Sequence, residues 1–481
     1  MMTHPDGPVV AGARSCTGCR RQRQYPVASA HRAVRALPGD ATLNTSSPTI
    51  PSADSERGHV ASWYAASAHS SPRRDALAGD VEADVCIVGA GFTGLSAALA
   101  LAERGIRVHV LEAVAVGFGA SGRNGGQVVN GLNADLPRIE RWFGRETADF
   151  AGSLLREGAD IIRRRIERYR IDCDLRSGNL FTAMTAAHMR GLEEKCARWS
   201  AHGLDGLELL DGDAVRRHVA SDRYVGGLLD HAGGHLHPLN LALGEAAAIE
   251  SFGGVIHERS PVTRVAREAE HFRVCTAAGS VTAEHVVLAG NAYLSGVVPE
   301  LERRVMPVST QIVATVPLGP ERAAALLPTD LCVEDCRYVL DYYRRTADHR
   351  LLFGGGIVYS GTDPADIRAS LRPKLERTFP QLRGVELEYA WSGNFALSFS
   401  RVPQLGRLED GCWFAQGYSG HGVTGSHLFG ALLAEAIAGD ATRYDRFARL
   451  RWFPFPGGRR LRVPYSALGA WYYNLRDAMG L

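Results

Sequence analysis

The sequence predicts an α/β protein in two interleaved lobes, one built on a parallel sheet and one an α+β lobe on an antiparallel sheet. Three observations carry this reading. Residues 84–112 run in the order strand, glycine turn, helix, strand, acid. Residues 306–316 and 331–353 have the look of antiparallel strands and lie far downstream of that unit. At 481 residues the chain also exceeds what one hydrophobic core usually supports.

The first unit opens with the apolar run 85–88, a buried parallel strand by its length and branching. It stops at Gly89-Ala-Gly91-Phe-Thr-Gly94, and a helix pattern of Leu95, Leu99 and Leu101 among alanines follows. Gly89 permits the tight turn, Gly91 lets a pyrophosphate approach the backbone, and Gly94 lets helix and strand pack closely. The helix start offers N–H groups and a positive dipole end to phosphates. Residues 107–111 form the next strand, and Glu112 ends it with a carboxylate suited to a ribose hydroxyl. The glycine motif alone is a weak signal; in this order and spacing it marks a Rossmann-like dinucleotide site.

Gly117-Phe-Gly-Ala-Ser-Gly-Arg-Asn-Gly-Gly-Gln127 follows the acid almost directly. Five glycines and small polar residues imply backbone lying against a flat ligand, with many N–H donors. Arg123, Asn124 and Gln127 are donors for a flavin ring, which favours FAD over NAD(P) and over a plain surface loop.

Residues 1–58 are rich in Pro, Ser, Arg and Ala without apolar periodicity, so a disordered extension is expected there, explained by a start codon assigned too far upstream. They contain no apolar core for a secretory signal, and Cys16-Thr-Gly-Cys19 lacks a second ligand pair for zinc. Residues 154–169 read as a helix with Leu155, Ala159, Ile162 and Ile166 inward and Arg163-Arg-Arg165 as a solvated face. A strand at 178–182 and a helix at 188–200 follow, and the chain has then entered its second lobe. His235 and His237 alternate as on a strand, but two histidines are too few for a metal site, so they read as loop residues. Residues 239–252 read as a helix, 254–257 as a strand, and 281–288 as a strand running into Gly290, where backbone can approach a cofactor.

The cluster Tyr338, Tyr342, Tyr343 and Arg344 has two even readings. Arg could receive a substrate carboxylate in a bidentate contact, or the tyrosines could simply pack in a strand. Residues 386–400 are aromatic-rich and suit a pocket wall. Trp413-Phe-Ala-Gln-Gly-Tyr-Ser-Gly-His-Gly-Val423 is a strand entering a glycine turn before a helix at 428–438, whose N-terminal amides favour negative charge on a reduced flavin.

Composition sets the outer bounds. With 45% hydrophobic and 22% charged residues this is an ordinary globular chain. A net charge of +2 gives no case for nucleic acid or an anionic membrane, and no run approaches the about 18 apolar residues of a membrane span. Lys195 and Lys374 are the only lysines among 54 basic residues, a compositional bias. Nine cysteines without framework spacing point to a reducing, cytoplasmic setting.

Ser62-Trp-Tyr64, the two glycine segments, Gly233-Gly-His-Leu-His-Pro-Leu-Asn240, Ala289-Gly-Asn-Ala-Tyr-Leu294, Arg350-Leu-Leu-Phe-Gly-Gly355 and Gln416-Gly-Tyr-Ser-Gly-His-Gly-Val423 together resemble the FAD-dependent glycine/D-amino acid oxidase (DAO) family, and within it the gamma-glutamylputrescine oxidoreductase branch. The resemblance spans roughly residues 62–440. It implies a glutathione-reductase-type FAD domain from 59–165, 233–300 and 401–481 (the last with a C-terminal tail), interleaved with a substrate domain from 166–232 and 301–400. It implies FAD contacts from Gly89, Gly91, Phe92, Thr93, Gly94, Glu112, Ala120, Ser121, Arg123, Asn124, Gly125, Gly126, Gln127, Val262 (by its backbone, to adenine), Gly290, Gly417, Gly420, His421, Gly422 and Val423. Thr424, Gly425 and Ser426 depart from the family's wording. Some relatives tether flavin through a cysteine, and none occurs in residues 391–401, so noncovalent FAD is expected. No metal is.

The implied reaction is oxidation of an amine C–N bond, with hydride passing to the flavin and the imine hydrolysing to an aldehyde and ammonia or an amine. Tyr342, Tyr343 and Arg344 are the substrate candidates; His421, Tyr293 and Trp391 are candidates for catalysis, without a firm acid or base. Oxygen, giving peroxide, or another acceptor would take the electrons. Sarcosine, a D-amino acid or another N-substituted amino acid is an alternative substrate, and a flavin-binding subunit without turnover is the alternative from another class.

Overall fold

Two sheets share the chain by turns. In this computed structural model, residues 58–294, 296–359 and 361–479 are described, so the expectations for the stretch before Gly58, Cys16 and Cys19 included, lie outside the described residues. Helix α1 (Trp63–Ser67) leads to strand β1 (Gly79–Val88), helix α2 (Phe92–Ala102) and strand β2 (Val108–Leu111). Then come β3 (Gln127–Val128), α3 (Glu157–Tyr169), β4 (Arg176–Ala183), β5 (Leu207–Asp211) and β6 (Gly226–His235). Helix α4 (Pro238–Ser251) precedes β7 (Val255–His257), β8 (Arg264–Glu268), β9 (His271–Cys275) and β10 (Gly279–Leu288). Strands β11 (Val305–Thr315), β12 (Cys332–Asp335), β13 (Tyr342–Arg345), β14 (Leu351–Val358) and β15 (Leu387–Ser398) follow, then β16 (Gln404–Glu409), β17 (Cys412–Gln416) and helix α5 (Gly422–Ile437).

The first sheet has the order β16-β17-β10-β1-β2-β7. From β17 to β7 every neighbour is parallel, as crossover helices require. Val85, Cys86, Ile87 and Val88 of β1 are all buried, the mark of a strand covered on both faces. The second sheet has the order β15-β11-β14-β13-β12-β4-β6-β3, with β5 on β6. It is the antiparallel sheet expected of the second lobe, with one parallel join where β12 lies beside β4. The short strand β3, which the sequence placed with the first lobe, pairs with β6 of the second sheet. No helix among the described residues is long and apolar enough to cross a membrane.

Helices α2, α3, α4 and α5 pack together beside the first sheet, and a buried charge cluster joins them. Arg165 of α3 donates from Nη1 to Glu245 Oε1 of α4 at 2.8 Å and from Nη2 to the Ser96 carbonyl of α2 at 3.0 Å. His427 of α5 brings Nε2 within 3.1 Å of the same Glu245 oxygen. The expectation of a solvated arginine face is therefore wrong for Arg165. It stands three residues after Ile162, on the inward stripe of the helix, so periodicity rather than charge decides its side. Arg163 also turns inward, donating to the Ala232 and Gly233 carbonyls; Arg164 alone of the three is exposed.

Burial pushes the Glu245 carboxyl up, but His427 and Arg165 outweigh it and hold the group below its ordinary value. Its stabilisation is therefore present above the usual carboxylate range and lost as pH falls through it. Glu245→Gln leaves Arg165 buried and uncompensated, and an expected loss of about 3–5 kcal/mol is to be read by denaturant unfolding at neutral pH. The gap between mutant and wild type should narrow below about pH 4.

Candidate active site

The turn after β1 is built from backbone. Gly89 takes φ +105°, a left-handed conformation that favours glycine, and donates its N–H to the Leu111 carbonyl at 2.9 Å. A Cβ on Gly94 would stand 1.9 Å from the Gly89 carbonyl oxygen, so strand and helix meet there with no room for a side chain. Gly91 caps α2 without a side-chain hydrogen bond, which leaves first-turn N–H groups and the positive helix end facing the space ahead. Glu112 closes β2 and accepts from the Ala90 N–H at 2.8 Å and the Val114 N–H at 3.0 Å.

The second glycine segment folds over this turn. Ser121 Oγ accepts from the Phe92 N–H at 2.9 Å. Asn124, expected as a donor to a flavin, instead holds its own loop: Nδ2 donates to the Ala120 and Ser121 carbonyls, and Oδ1 accepts from the Gly126 N–H. Arg123 donates from Nε to the Phe118 carbonyl at 2.7 Å and lies 4.4 Å over the Phe118 ring. Its Nη2 is buried without a hydrogen-bond partner among the described residues. Gln127 donates to the Val333 carbonyl of the second sheet at 3.3 Å.

The far end of the chain closes the opposite side. Tyr418 and Thr93 share a hydroxyl hydrogen bond of 2.8 Å, which ties the α5 turn to the α2 turn. Asn291 Oδ1 accepts from the Gly417 N–H at 3.0 Å. His421 precedes α5 without a side-chain cap to the helix, so a second helix N-terminus opens to the same space. Burial, and then the charge of Lys195, pushes His421 down to about 4. Its ring is neutral at pH 7, and its Nδ1 has no partner among the described residues.

These elements surround one cavity of about 470 Å³. Of the residues singled out in the sequence it brings together Gly89, Gly91, Phe92, Thr93, Glu112, Ala120, Ser121, Arg123, Asn124, Gly125, Gln127, Val262, Gly290, Tyr293, Tyr342, Gly420, His421, Gly422 and Val423. Six others stand outside its lining. Gly94 is spent on the helix–strand contact, and Gly126 faces the Leu236 carbonyl and Arg344. Gly417 packs against Ser398 and Val305. Trp391 is buried and donates from Nε1 to the Arg123 carbonyl at 2.9 Å, supporting the arginine from behind.

The Tyr/Arg cluster divides, because alternate residues of β13 face opposite sides of the sheet. Tyr342 looks into the cavity, with its ring against Gly125. Tyr343 points the other way, bonded to Tyr224 and stacked on Phe353. Arg344 is fully buried and donates to the Gly125, Leu236 and Arg345 carbonyls and to Tyr64 Oη. Its role as a carboxylate receptor is thus corrected: its donors are occupied inside the fold. The histidines read as loop residues are structural too. His235 ends β6, buried, with Nε2 2.8 Å from the Asp330 carbonyl. His237 Nδ1 accepts from the Asn240 N–H and caps α4, and burial pushes it down to about 3. No group of acids, histidines or cysteines among the described residues could hold a metal.

Two cavity residues, Glu334 and Arg401, were not anticipated, while Tyr338 of the expected Tyr/Arg cluster does line the cavity. Glu334 lies on β12, buried at 6% exposure. Arg401 and Tyr338 form a rim pair, joined by a 2.9 Å hydrogen bond from Arg401 Nη2 to Tyr338 Oη. Arg401 takes φ +67°, a strained position for a residue with a side chain and one that clusters at functional sites. The strand context hid Glu334; the Ser-Arg-Val-Pro turn after β15 was the available signal for Arg401.

The family described as DAO, FAD dependent oxidoreductase, matches residues 84–436. Gamma-glutamylputrescine oxidoreductase of Escherichia coli (strain K12) is 55% identical over 424 residues, covering 88% of this chain and 99% of that protein. A probable oxidoreductase, OrdL, of Haemophilus influenzae is 39% identical over 425 residues, 87% of this chain and 97% of its own. Among solved structures, glycine oxidase of Geobacillus kaustophilus superposes with a TM-score of 0.64 at 23% identity, covering 78% of this chain and all of that one.

The two glycines of the turn should fail differently. Gly94→Ala forces a Cβ into the Gly89 carbonyl, so little folded protein is expected by circular dichroism. Gly91→Ala meets Ser121 Oγ at 3.0 Å, a side chain that can turn aside. That variant should fold yet purify with FAD absorbance reduced at least 10-fold.

Proposed function

Because this chain belongs to the DAO family of FAD-dependent oxidoreductases, we propose that its cavity holds FAD noncovalently and oxidises an amine of the gamma-glutamylputrescine kind beside it. The observation that carries this reading is the single cavity shared by the Gly89–Gly94 turn, the 117–127 loop, the α5 N-terminus and the rim pair of the second sheet. The donor set suits the cofactor. Two helix starts whose own cap residues make no side-chain hydrogen bond, and Arg123 Nη2, which has no partner among the described residues, offer positive potential and hydrogen to phosphate and ring oxygens. Glu112, already steadied by two backbone N–H groups, keeps lone pairs for ribose hydroxyls.

Bound FAD supplies a two-electron acceptor for hydride from the carbon that bears the nitrogen. The chain's part is to bind, orient and keep water out. Arg123 is braced by Phe118 and Trp391, so its free amino group is fixed before any ligand arrives. The neutral His421 adds no standing charge, so the attraction for an electron-rich ring comes from Arg123 and the α5 N-terminus. Tyr342, hydrogen-bonded to Thr310 and packed on Gly125, forms the wall against which the substrate chain lies.

The relative's substrate, by its name, is a glutamyl amide of a diamine, with a carboxylate at one end and an amine at the other. Arg401 at the rim suits the carboxylate, while the apolar wall near the glycine loop suits the alkylamine. The product imine would hydrolyse to an aldehyde and ammonia, with oxygen as the acceptor, in the cytoplasm. The test is anaerobic mixing of the yellow protein with gamma-glutamylputrescine, sarcosine and D-alanine while flavin absorbance is followed. Bleaching by the first alone supports the reading; bleaching by another moves the substrate, and no bleaching by any ends the enzymatic reading. Peroxide formed on admitting air supports oxygen as the acceptor. Arg401→Gln should raise KM for gamma-glutamylputrescine about 10-fold or more while leaving KM for putrescine, which has no carboxylate, nearly unchanged.

A further inference from the structure

We infer that Glu334 is the anionic receptor for the substrate's ammonium group and takes one of its protons, leaving the amine neutral for oxidation. This rests on the amine-oxidising reading above and assigns a residue to it. Glu334 lies on β12 directly opposite Tyr342 of β13 in the antiparallel register, so the two side chains share a face of the sheet. Both line the cavity. Tyr342 abuts Gly125: a Cβ there would stand 2.7 Å from its Cε2. The carboxylate is therefore near the 117–127 loop, whereas the cavity's other carboxylate, Glu112, sits at the end of β2.

The two acids also differ in their partners. Glu112 accepts two backbone N–H groups. No hydrogen bond or ion pair from any described residue reaches the Glu334 carboxylate, although only 6% of the residue is exposed. A buried carboxylate without donors is costly, and it persists where a ligand supplies the missing partner. Its surroundings select the ligand's charge. Lys195 of the Ala186–Ala201 helix acts on it from a distance, Asp335 follows it on the strand, Tyr342 faces it, and the thiols of Cys332 and Cys336 flank it.

An alkylammonium ion titrates around 10.4, so an amine arrives at neutral pH carrying the proton that occupies its lone pair. In the proton transfer one N–H bond breaks, its electron pair stays on nitrogen, and an O–H bond forms on Glu334. Charge is conserved, and an ion pair becomes a neutral pair, which a dry pocket favours. Burial, aided by Asp335 and opposed by Lys195, already pushes the Glu334 carboxyl up to about 7. The acid is mostly neutral below that pH and charged above it, so amine capture should rise as pH climbs through about 7.

The test uses the FAD-loaded enzyme and two ligands: gamma-glutamylputrescine, and the neutral isostere in which a methyl group replaces the terminal ammonium. In the wild type, calorimetric binding under anaerobic conditions should favour the ammonium ligand at least 10-fold at pH 8, and less at pH 6. Glu334→Gln should keep its FAD, lose that preference and lower kcat/KM at least 100-fold. Its kcat/KM should also lack the rise through about pH 7, while Glu334→Asp retains one. Equal wild-type affinity for the two ligands at both pH values would overturn the inference even if no variant folds. So would a Glu334→Gln enzyme with wild-type kcat/KM and pH profile. Should no amine bleach the wild-type flavin, the catalytic reading falls, yet the binding comparison still decides whether Glu334 reads the charge.

Discussion

One guanidinium sets the geometry of the nucleotide-binding half. Arg165 is buried where α2, α3, α4 and α5 converge, and the Ser96 carbonyl, Glu245 and His427 are held around it. Two of those helices, α2 and α5, point their N-termini at the cavity, with no side-chain cap from their own cap residues. Hydrophobic packing alone is tolerant of small slides between helices, whereas a buried charge with fixed donors is not. The cluster therefore fixes the relative register of the two helix ends that provide the site's positive potential.

The same logic of prior occupation runs through the site. Asn124 spends its amide on the glycine loop, Trp391 supports the Arg123 carbonyl, and Arg344 secures Gly125 and Leu236 from behind. Among the described residues Arg123 Nη2 and His421 Nδ1 have no partner, no hydrogen bond or ion pair reaches the Glu334 carboxylate, and all three residues line the cavity. A site prepared in this way loses little side-chain freedom when it is filled. The polarity is also ordered, with donors clustered about the glycine segments and an acid and a rim arginine toward the second sheet.

The fold was largely legible in the sequence because glycine spacing, an apolar strand and a terminal acid are local signals with one shared structural solution. That solution is also the parallel order of β1, β2 and β10. Legibility failed where the decisive partner was far away in the chain. The 163–165 arginines looked solvated because Glu245 is 80 residues from Arg165. Arg344 looked like a substrate ligand because nothing local announced the carbonyls of Gly125 and Leu236. Glu334 carries no local signal, because an acid in a short strand ordinarily faces water and only the register with Tyr342 places it on the cavity face.

The strand order has a consequence for how such a protein can change. The chain passes from the first sheet (β1, β2) to the second (β3 to β6), back to the first (β7 to β10), again to the second (β11 to β15), and ends in the first (β16, β17). Neither lobe is a continuous segment, so neither can be excised, exchanged with a relative's or duplicated by one genetic event without cutting the other. Recombination, the quick route to new specificity in bead-like proteins, is closed to this architecture. A lineage built on it has to reach a new substrate by substitutions on the cavity face of the second sheet while the nucleotide-binding frame stays in place, and its variety should lie in side chains rather than in modules.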